Sequence, residues 1–181
     1  SVRVAERRFR PWQYAFARLA AGGCERIVCV SDGVRRHHAR RTGLPPHSYE
    51  VIHNGIDTGR FAVGPAAGRA LRRQWGVTPE AQLVAFVGRL DRQKGPDLLL
   101  DAAERLVPDR PDLRVVLAGD GPMRPVLARR LAAGPLAGRC RLAGFVRDVP
   151  GIYAAADLAV VPSRWEGFGL AAAEAMAAGR A

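Results

Sequence analysis

At 181 residues, 48% hydrophobic and 25% charged, the chain has ordinary globular composition and can bury a substantial core, so one domain, or one with part of another, is expected. No apolar run reaches the roughly 20 residues a bilayer-spanning helix needs, and no signal peptide opens the chain, which argues against a membrane-spanning class. The formal net charge is +11, and residues 1–41 hold ten arginines against Glu6, Glu25 and Asp32, a local balance of +7. That concentration points to acidic partners, anionic lipid headgroups before nucleic acid, because aromatic-rich basic patches are lacking. Arginine number alone says little, since Lys94 is the only lysine among 28 basic residues. Cys24, Cys29 and Cys140 form no Cys-x-x-Cys pair and read as reduced thiols, which favours a reducing cytoplasm.

In chain order, residues 10–21 place Trp12, Phe16 and Leu19 at helical spacing, and Gly22-Gly23 closes the helix. Packing of these aromatics on a core is the preferred reading, and docking on an anionic membrane the alternative. Residues 26–30 read as a buried strand, Ser31 as the N-cap of a helix through residues 34–41, and Gly43-Leu44-Pro45-Pro46 as its end. A strand over 49–52 leads into the Asn54-Gly55 turn and a loop over 58–61. From residue 83 strands and helices alternate: strands 83–87, 113–118, 140–143 and 158–161, helices 96–107, 122–133, 149–156 and 169–178. Continuous Val/Leu/Ala strands alternating with helices predict an α/β fold with a Rossmann-like parallel sheet flanked by helices.

Ligands of such sheets sit at the carboxyl ends of strands, and the informative residues fall there. After the strand at 83–87 comes Gly88-Arg89-Leu90-Asp91-Arg92-Gln93-Lys94-Gly95-Pro96. A guanidinium fork and an ammonium in one glycine loop suit a diphosphate, although a solvated basic loop would look the same. Gly119-Asp120-Gly121-Pro122 is turn chemistry in itself. The next strand ends at Gly144-Phe145-Val146. After residue 161 the chain runs Pro162-Ser163-Arg164-Trp165-Glu166-Gly167-Phe168-Gly169-Leu170, then a helix of small residues that looks apolar nearly all round, hence buried. With Gly169 opening that helix, Glu174 lies roughly 7 Å along it, about one sugar's length from an anion held at its N-terminus. Phosphate at the helix end with ribose on Glu174 fits this spacing; so does a Glu174 paired with an arginine and a Glu166 in solvent. No Asp-x-Asp triplet occurs and His53 stands alone, so no metal site is expected. Two glutamates could also mark a glycosidase, but a hydrolase of neutral glycans would not need the cationic pair.

Glu166 and Glu174, with seven residues between them that begin Gly-Phe-Gly-Leu, resemble the Glu-x7-Glu signature of retaining glycosyltransferases of family 4 (glycosyl transferases group 1). Gly88-Arg89-Leu90 with Lys94-Gly95 is similar to that family's Gly-Arg-Leu-x-x-x-Lys-Gly pattern, and His53-Asn54-Gly55-Ile56-Asp57 to its passage between domains. The resemblance implies the GT-B architecture of two Rossmann-like domains. Residues 1–45 would then be the tail of an N-terminal domain, and 46–181 a donor-binding C-terminal domain, truncated at its end. It implies that Arg89 and Lys94 bind the donor phosphates and, with Glu166, serve catalysis; that Glu166 faces the donor sugar and Glu174 the ribose; that amides at Phe168, Gly169 and Leu170 meet sugar and diphosphate; and that Gly88 and the backbone at Phe145 and Val146 border the nucleotide. The full-length parent would transfer a hexose, with retention, from a UDP- or GDP-type sugar to a lipid, glycan or small molecule, without metal or other cofactor. It would be cytoplasmic, or peripheral to the inner face of the membrane, and the chain alone would be inactive. A phosphorylase-like GT-B enzyme and a non-catalytic nucleotide- or RNA-binding Rossmann-like module are the alternatives.

Overall fold

The computed structural model describes residues 10–180. It divides into two compact units, one taking the chain up to Gly55 together with Trp165–Gly169, the other Ile56–Arg164 together with the chain from Leu170.

In the first unit, helix α1 (Pro11–Ala21) precedes strand β1 (Ile27–Cys29), helix α2 (Asp32–Thr42), a 3-10 turn at Pro46–Ser48 and strand β2 (Tyr49–Val51). The strands pair in parallel, Ile27 opposite Tyr49 and Cys29 opposite Val51. Ser31 caps α2 as expected, its Oγ accepting the Val34 N–H at 3.2 Å. Cys29, Val30, Val34 and Tyr49 form the core, with Ile27, Leu44 and Phe168 packed against it. His38 and Thr42 are buried beside them and close a cycle of hydrogen bonds. Thr42 Oγ1 donates to the His38 carbonyl at 2.8 Å and therefore accepts from the Tyr49 hydroxyl at 3.0 Å; that hydroxyl in turn accepts from His38 Nδ1 at 2.9 Å. The cycle requires the Nδ1–H tautomer, and burial, with His37 nearby, lowers the His38 pKa and keeps the ring neutral.

Two expectations for this unit need correction. A division after residue 45 would separate β2 from β1, the strand it pairs with; β2 stays with the first unit, which runs to Gly55. Helix α1 seats Tyr14, not the aromatic stripe: Trp12, Phe16 and Leu19 are 62, 68 and 78% exposed among the described residues. Tyr14 wins the buried face because its ring meets the His37 and His38 rings edge-on, at 6.3 and 6.2 Å, while its hydroxyl keeps a partner in His37 Nε2 at 3.2 Å. Of the three thiols, Cys29 is buried, Cys24 is exposed and Cys140 half-buried.

The second unit is the expected α/β sheet. Helix α3 (Pro65–Trp75) leads to β3 (Gln82–Val87), α4 (Pro96–Leu106), β4 (Leu113–Ala118), α5 (Arg124–Leu131), β5 (Cys140–Gly144), α6 (Val149–Ala155), β6 (Leu158–Ala159) and α7 (Leu170–Ala177). All pairings are parallel and the order is β5-β4-β3-β6. Side chains alternate between two cores, as the pleat demands. Phe86, Val115 and Leu117 join Leu99, Leu100 and Leu127 on one face, while Leu83, Ala85, Val116 and Ala118 join Ile152 and Ala155 on the other.

The departures have local causes. Helix α3, absent from the sequence reading, lies where Pro65 starts and Gly76 stops a run of mixed polarity interrupted by Gly68. That glycine is required by packing, because a Cβ there would lie 2.2 Å from the Ala154 carbonyl oxygen of α6. Residues 58–61 form one 3-10 turn rather than loop, capped by Asp57. The apolar run 158–161 forms only a two-residue strand, although Val160 N–H still reaches Ala85 O at 2.9 Å. Helix α7 is not buried all round: Ala175 is buried, whereas Leu170 and Met176 are exposed.

Replacing Gly68 by alanine adds a methyl where none fits, so overpacking of about 1–3 kcal/mol should exceed the roughly 1 kcal/mol that alanine's helix propensity returns. Equilibrium urea unfolding should show a net loss of stability in Gly68→Ala; a gain would mean that α3 does not seat on α6 through this glycine.

Candidate functional site

The carboxyl ends of β3, β4 and β5 are joined beyond the strands themselves. Gly88 N–H donates to Ala118 O at 3.0 Å, Leu90 N–H to Asp120 O at 2.9 Å, and Gly119 N–H to Gly144 O at 2.7 Å. Three loops are thereby held side by side, and between them opens a cavity of about 290 Å³. Gly88, Arg89, Gly119, Asp120, Phe145 and Val146 line it from the loops, together with the apolar Val87, Ala118, Val149 and Ile152. Phe145 is 78% exposed there. Of the residues singled out by sequence, Gly88, Arg89, Phe145 and Val146 are thus brought together, and the Lys94 stem runs 3.8 Å from the position a Cβ of Gly88 would take.

Asp91 organises the cationic loop. Its Oδ2 lies 2.5 Å from Arg89 Nε, its Oδ1 accepts the Lys94 backbone N–H at 2.9 Å, and its side chain is 16% exposed. Arg89 also donates to Gln93 Oε1 at 3.4 Å. Sequence reasoning passed over Asp91, and equally Asp97 and Arg164. In the first turn of α4 the Asp97 carboxylate accepts from Nη1 and Nη2 of Arg164 at 2.8 and 2.7 Å. An acid one residue after the Lys94-Gly95-Pro96 helix start was the available signal.

The remaining candidates are split. Glu166, Phe168 and Gly169 fall in the first unit, where Gly167 O accepts from Ser31 Oγ at 2.6 Å and the Phe168 ring lies 6.3 Å from that of His53. Leu170 and Glu174 belong to the second unit, with Leu170, not Gly169, the first residue of α7. Burial raises the Glu174 pKa, partly offset by the charge of Arg60 and by the neighbouring Tyr153, whose hydroxyl donates to Ala171 O at 3.0 Å. Among the described residues no group of three His, Cys, Asp or Glu side chains is arranged to hold a metal ion.

Residues 69–181 match the family model for glycosyl transferases group 1, and residues 1–60 that for glycosyltransferase family 4. A D-inositol 3-phosphate glycosyltransferase 2 of Catenulispora acidiphila is 37% identical over 86% of this chain and 38% of its own length. The lipopolysaccharide core biosynthesis mannosyltransferase LpsB of Rhizobium meliloti is 41% identical over 71% of this chain, again 38% of its own. The chain therefore spans little more than a third of these relatives. Among solved structures, HepE of Anabaena in complex with UDP-glucose superposes with a TM-score of 0.86 at 27% identity, covering 95% of this chain and 48% of that one. Its complex with UDP gives 0.85 at 26% identity, over 96% and 48%.

The raised pKa of Glu174 carries a consequence for stability. A carboxyl whose folded pKa exceeds its unfolded value is a cost to folding while charged, and the cost fades as pH falls through the folded pKa. Glu174→Gln should therefore melt at a higher temperature than wild type at pH 7.5, with the gap closing toward pH 4.5. A variant less stable at both pH values would instead identify Glu174 as a structural partner of Arg60.

Proposed function

The chain belongs to the glycosyl transferases group 1 family, and on that premise we propose that it carries the donor-binding part of a retaining glycosyltransferase. The whole protein moves a hexose from a UDP- or GDP-type nucleotide diphosphate sugar to a lipid, glycan or small-molecule acceptor, in the cytoplasm and without a metal. The first unit belongs to the acceptor-side domain. One observation carries the reading: Arg89 and the chain's single lysine share a loop beside the cavity that Phe145 and Val146 border, at the carboxyl edge of a parallel sheet. Structural neighbours that contain UDP and UDP-glucose support it.

The chemistry follows from charge. When the bond between anomeric carbon and phosphate oxygen breaks, its electron pair leaves with the diphosphate, and negative charge grows there. A guanidinium fork and an ammonium already in place stabilise that charge without reorganising at the moment of reaction. The cavity beside Phe145 takes the base, and Glu174 accepts from the ribose hydroxyls. Glu166 and the amides at Phe168, Gly169 and Leu170 keep the sugar and diphosphate roles that the family resemblance implies. Lys94→Ala should weaken binding of a nucleoside diphosphate by ~1.5–3 kcal/mol, the scale of a charge-assisted hydrogen bond, and barely affect the nucleoside. Equal diphosphate affinity in calorimetry would remove the assignment.

A second reading concerns α1. Its exposed Trp12, Phe16 and Leu19 recur at i, i+4 and i+7, with Arg10 before the helix, Arg18 in its last turn and Arg35, Arg36, Arg40 and Arg41 on α2. No helix among the described residues is long and apolar enough to cross a membrane, but an apolar stripe beside cations fits the surface of an anionic bilayer. The protein should co-sediment with phosphatidylglycerol vesicles, less so at high salt or in Trp12→Ser/Phe16→Ser. Sedimentation indifferent to lipid charge and to salt would exclude this role.

A further inference from the structure

Three features of the second unit meet where the chain leaves β6. Arg164 donates its backbone N–H to Gln93 O at 2.8 Å and its Nη1 to Arg92 O at 3.0 Å, so it grips the cationic loop from outside by two consecutive carbonyls. The same guanidinium holds both carboxylate oxygens of Asp97, at 2.8 and 2.7 Å. Between these grips stands Gly95, left-handed at φ 68°, where a Cβ would lie 2.4 Å from the Pro162 carbonyl oxygen. The segment 162–164 therefore presses on the loop at the residue after Lys94, an approach that only glycine permits.

Asp97 needs this partner. It lies in the first turn of α4, where backbone N–H groups and the helix dipole favour anions. An unopposed carboxylate there would repel a diphosphate and compete for the same amides. Paired with Arg164, its charge is met by a fork-to-fork bond, and the guanidinium holds the Asp97 carboxyl below the usual carboxylate range.

We infer that Arg164 is a positioning residue for the donor diphosphate: clamped to Asp97 and to the carbonyls of Arg92 and Gln93, it fixes the loop that presents Arg89 and Lys94. This deepens the proposed function and rests on its phosphate site. Arg164 acts through the loop rather than on the ligand, and the Asp97 variant separates the two cases. Removing Asp97's charge breaks the clamp and frees the guanidinium; affinity falls if Arg164 positions, and rises if Arg164 itself grips phosphate.

The test is calorimetric titration of UDP, with uridine by competition, into wild type, Arg164→Leu, Asp97→Asn, the exchanged pair Asp97→Arg/Arg164→Asp, and Lys94→Ala. Arg164→Leu and Asp97→Asn should each bind UDP about tenfold more weakly, within the coupling range of a salt-bridge network, and the exchanged pair should recover part of the loss. Uridine affinity should not move, which a general loss of folding would not allow. Unchanged UDP affinity in Arg164→Leu, with a loss in Lys94→Ala, overturns the clamp alone, as does tighter binding by Asp97→Asn. Unchanged affinity in both Lys94→Ala and Arg164→Leu overturns the phosphate site, and the clamp's role with it.

Discussion

The parallel pairing of β3 with β4 is the constraint on which the second unit depends. Gln82 faces Leu113 and Val87 faces Ala118, in unbroken register over the length of both strands. Because the strands run the same way and end together, the loops that follow leave the sheet at one edge. The ladder then continues through Gly88 N–H to Ala118 O and Leu90 N–H to Asp120 O, so the loops are extensions of the sheet. The walls of a cavity at that edge are therefore tied to the strands by backbone hydrogen bonds. With both faces of the sheet covered by helices, backbone N–H groups and side chains free to meet a ligand concentrate at this edge.

Charge within the site is arranged by carboxylates. In a chain of +11, cations are plentiful, and what distinguishes those of the loop is restraint. Asp91 holds Arg89 and the Lys94 backbone from within, and Asp97 holds Arg164 from without. Each acid lowers the positive potential somewhat and in return removes the freedom of long side chains that an anion would otherwise have to order. Arginine elsewhere does structural work of a different kind. Arg72 ties α3 to Ala155 O at 2.7 Å and Ala81 O at 3.1 Å and pairs with Asp157, while Arg130 bridges Asp101 and Glu104, both at 2.7 Å. Such pairs explain why arginine number by itself says nothing about a ligand.

Much of this fold is legible in the sequence because its strands are continuous apolar runs. Residues 113–118 stand out as Leu-Arg-Val-Val-Leu-Ala, and the observed strand has those bounds. Ser31 is legible as a cap because its side chain acts on the amide three residues on. What escapes is set by tertiary contact. Helix α3 has helix formers, a proline start and a glycine stop, yet Gly68 reads as a breaker until α6 lies against it. The stripe on α1 is periodic enough to predict a helix, but periodicity does not say which face is covered, and Tyr14 takes the buried side. Similarly, Arg89 and Lys94 are visible through their loop, whereas Asp97 and Arg164 meet only in space, 67 residues apart in the chain.

The central claim is that the carboxyl edge of the β5-β4-β3-β6 sheet binds the nucleoside diphosphate. Amide hydrogen exchange with and without saturating UDP tests it most directly. Protection should gather in residues 88–95, 119–121 and 144–148, the loops around the cavity. Protection centred on the opposite edge, where Trp75, Val77, Arg114, Arg139 and Arg141 line a second cavity of about 210 Å³, would contradict the account, as would no protection at all.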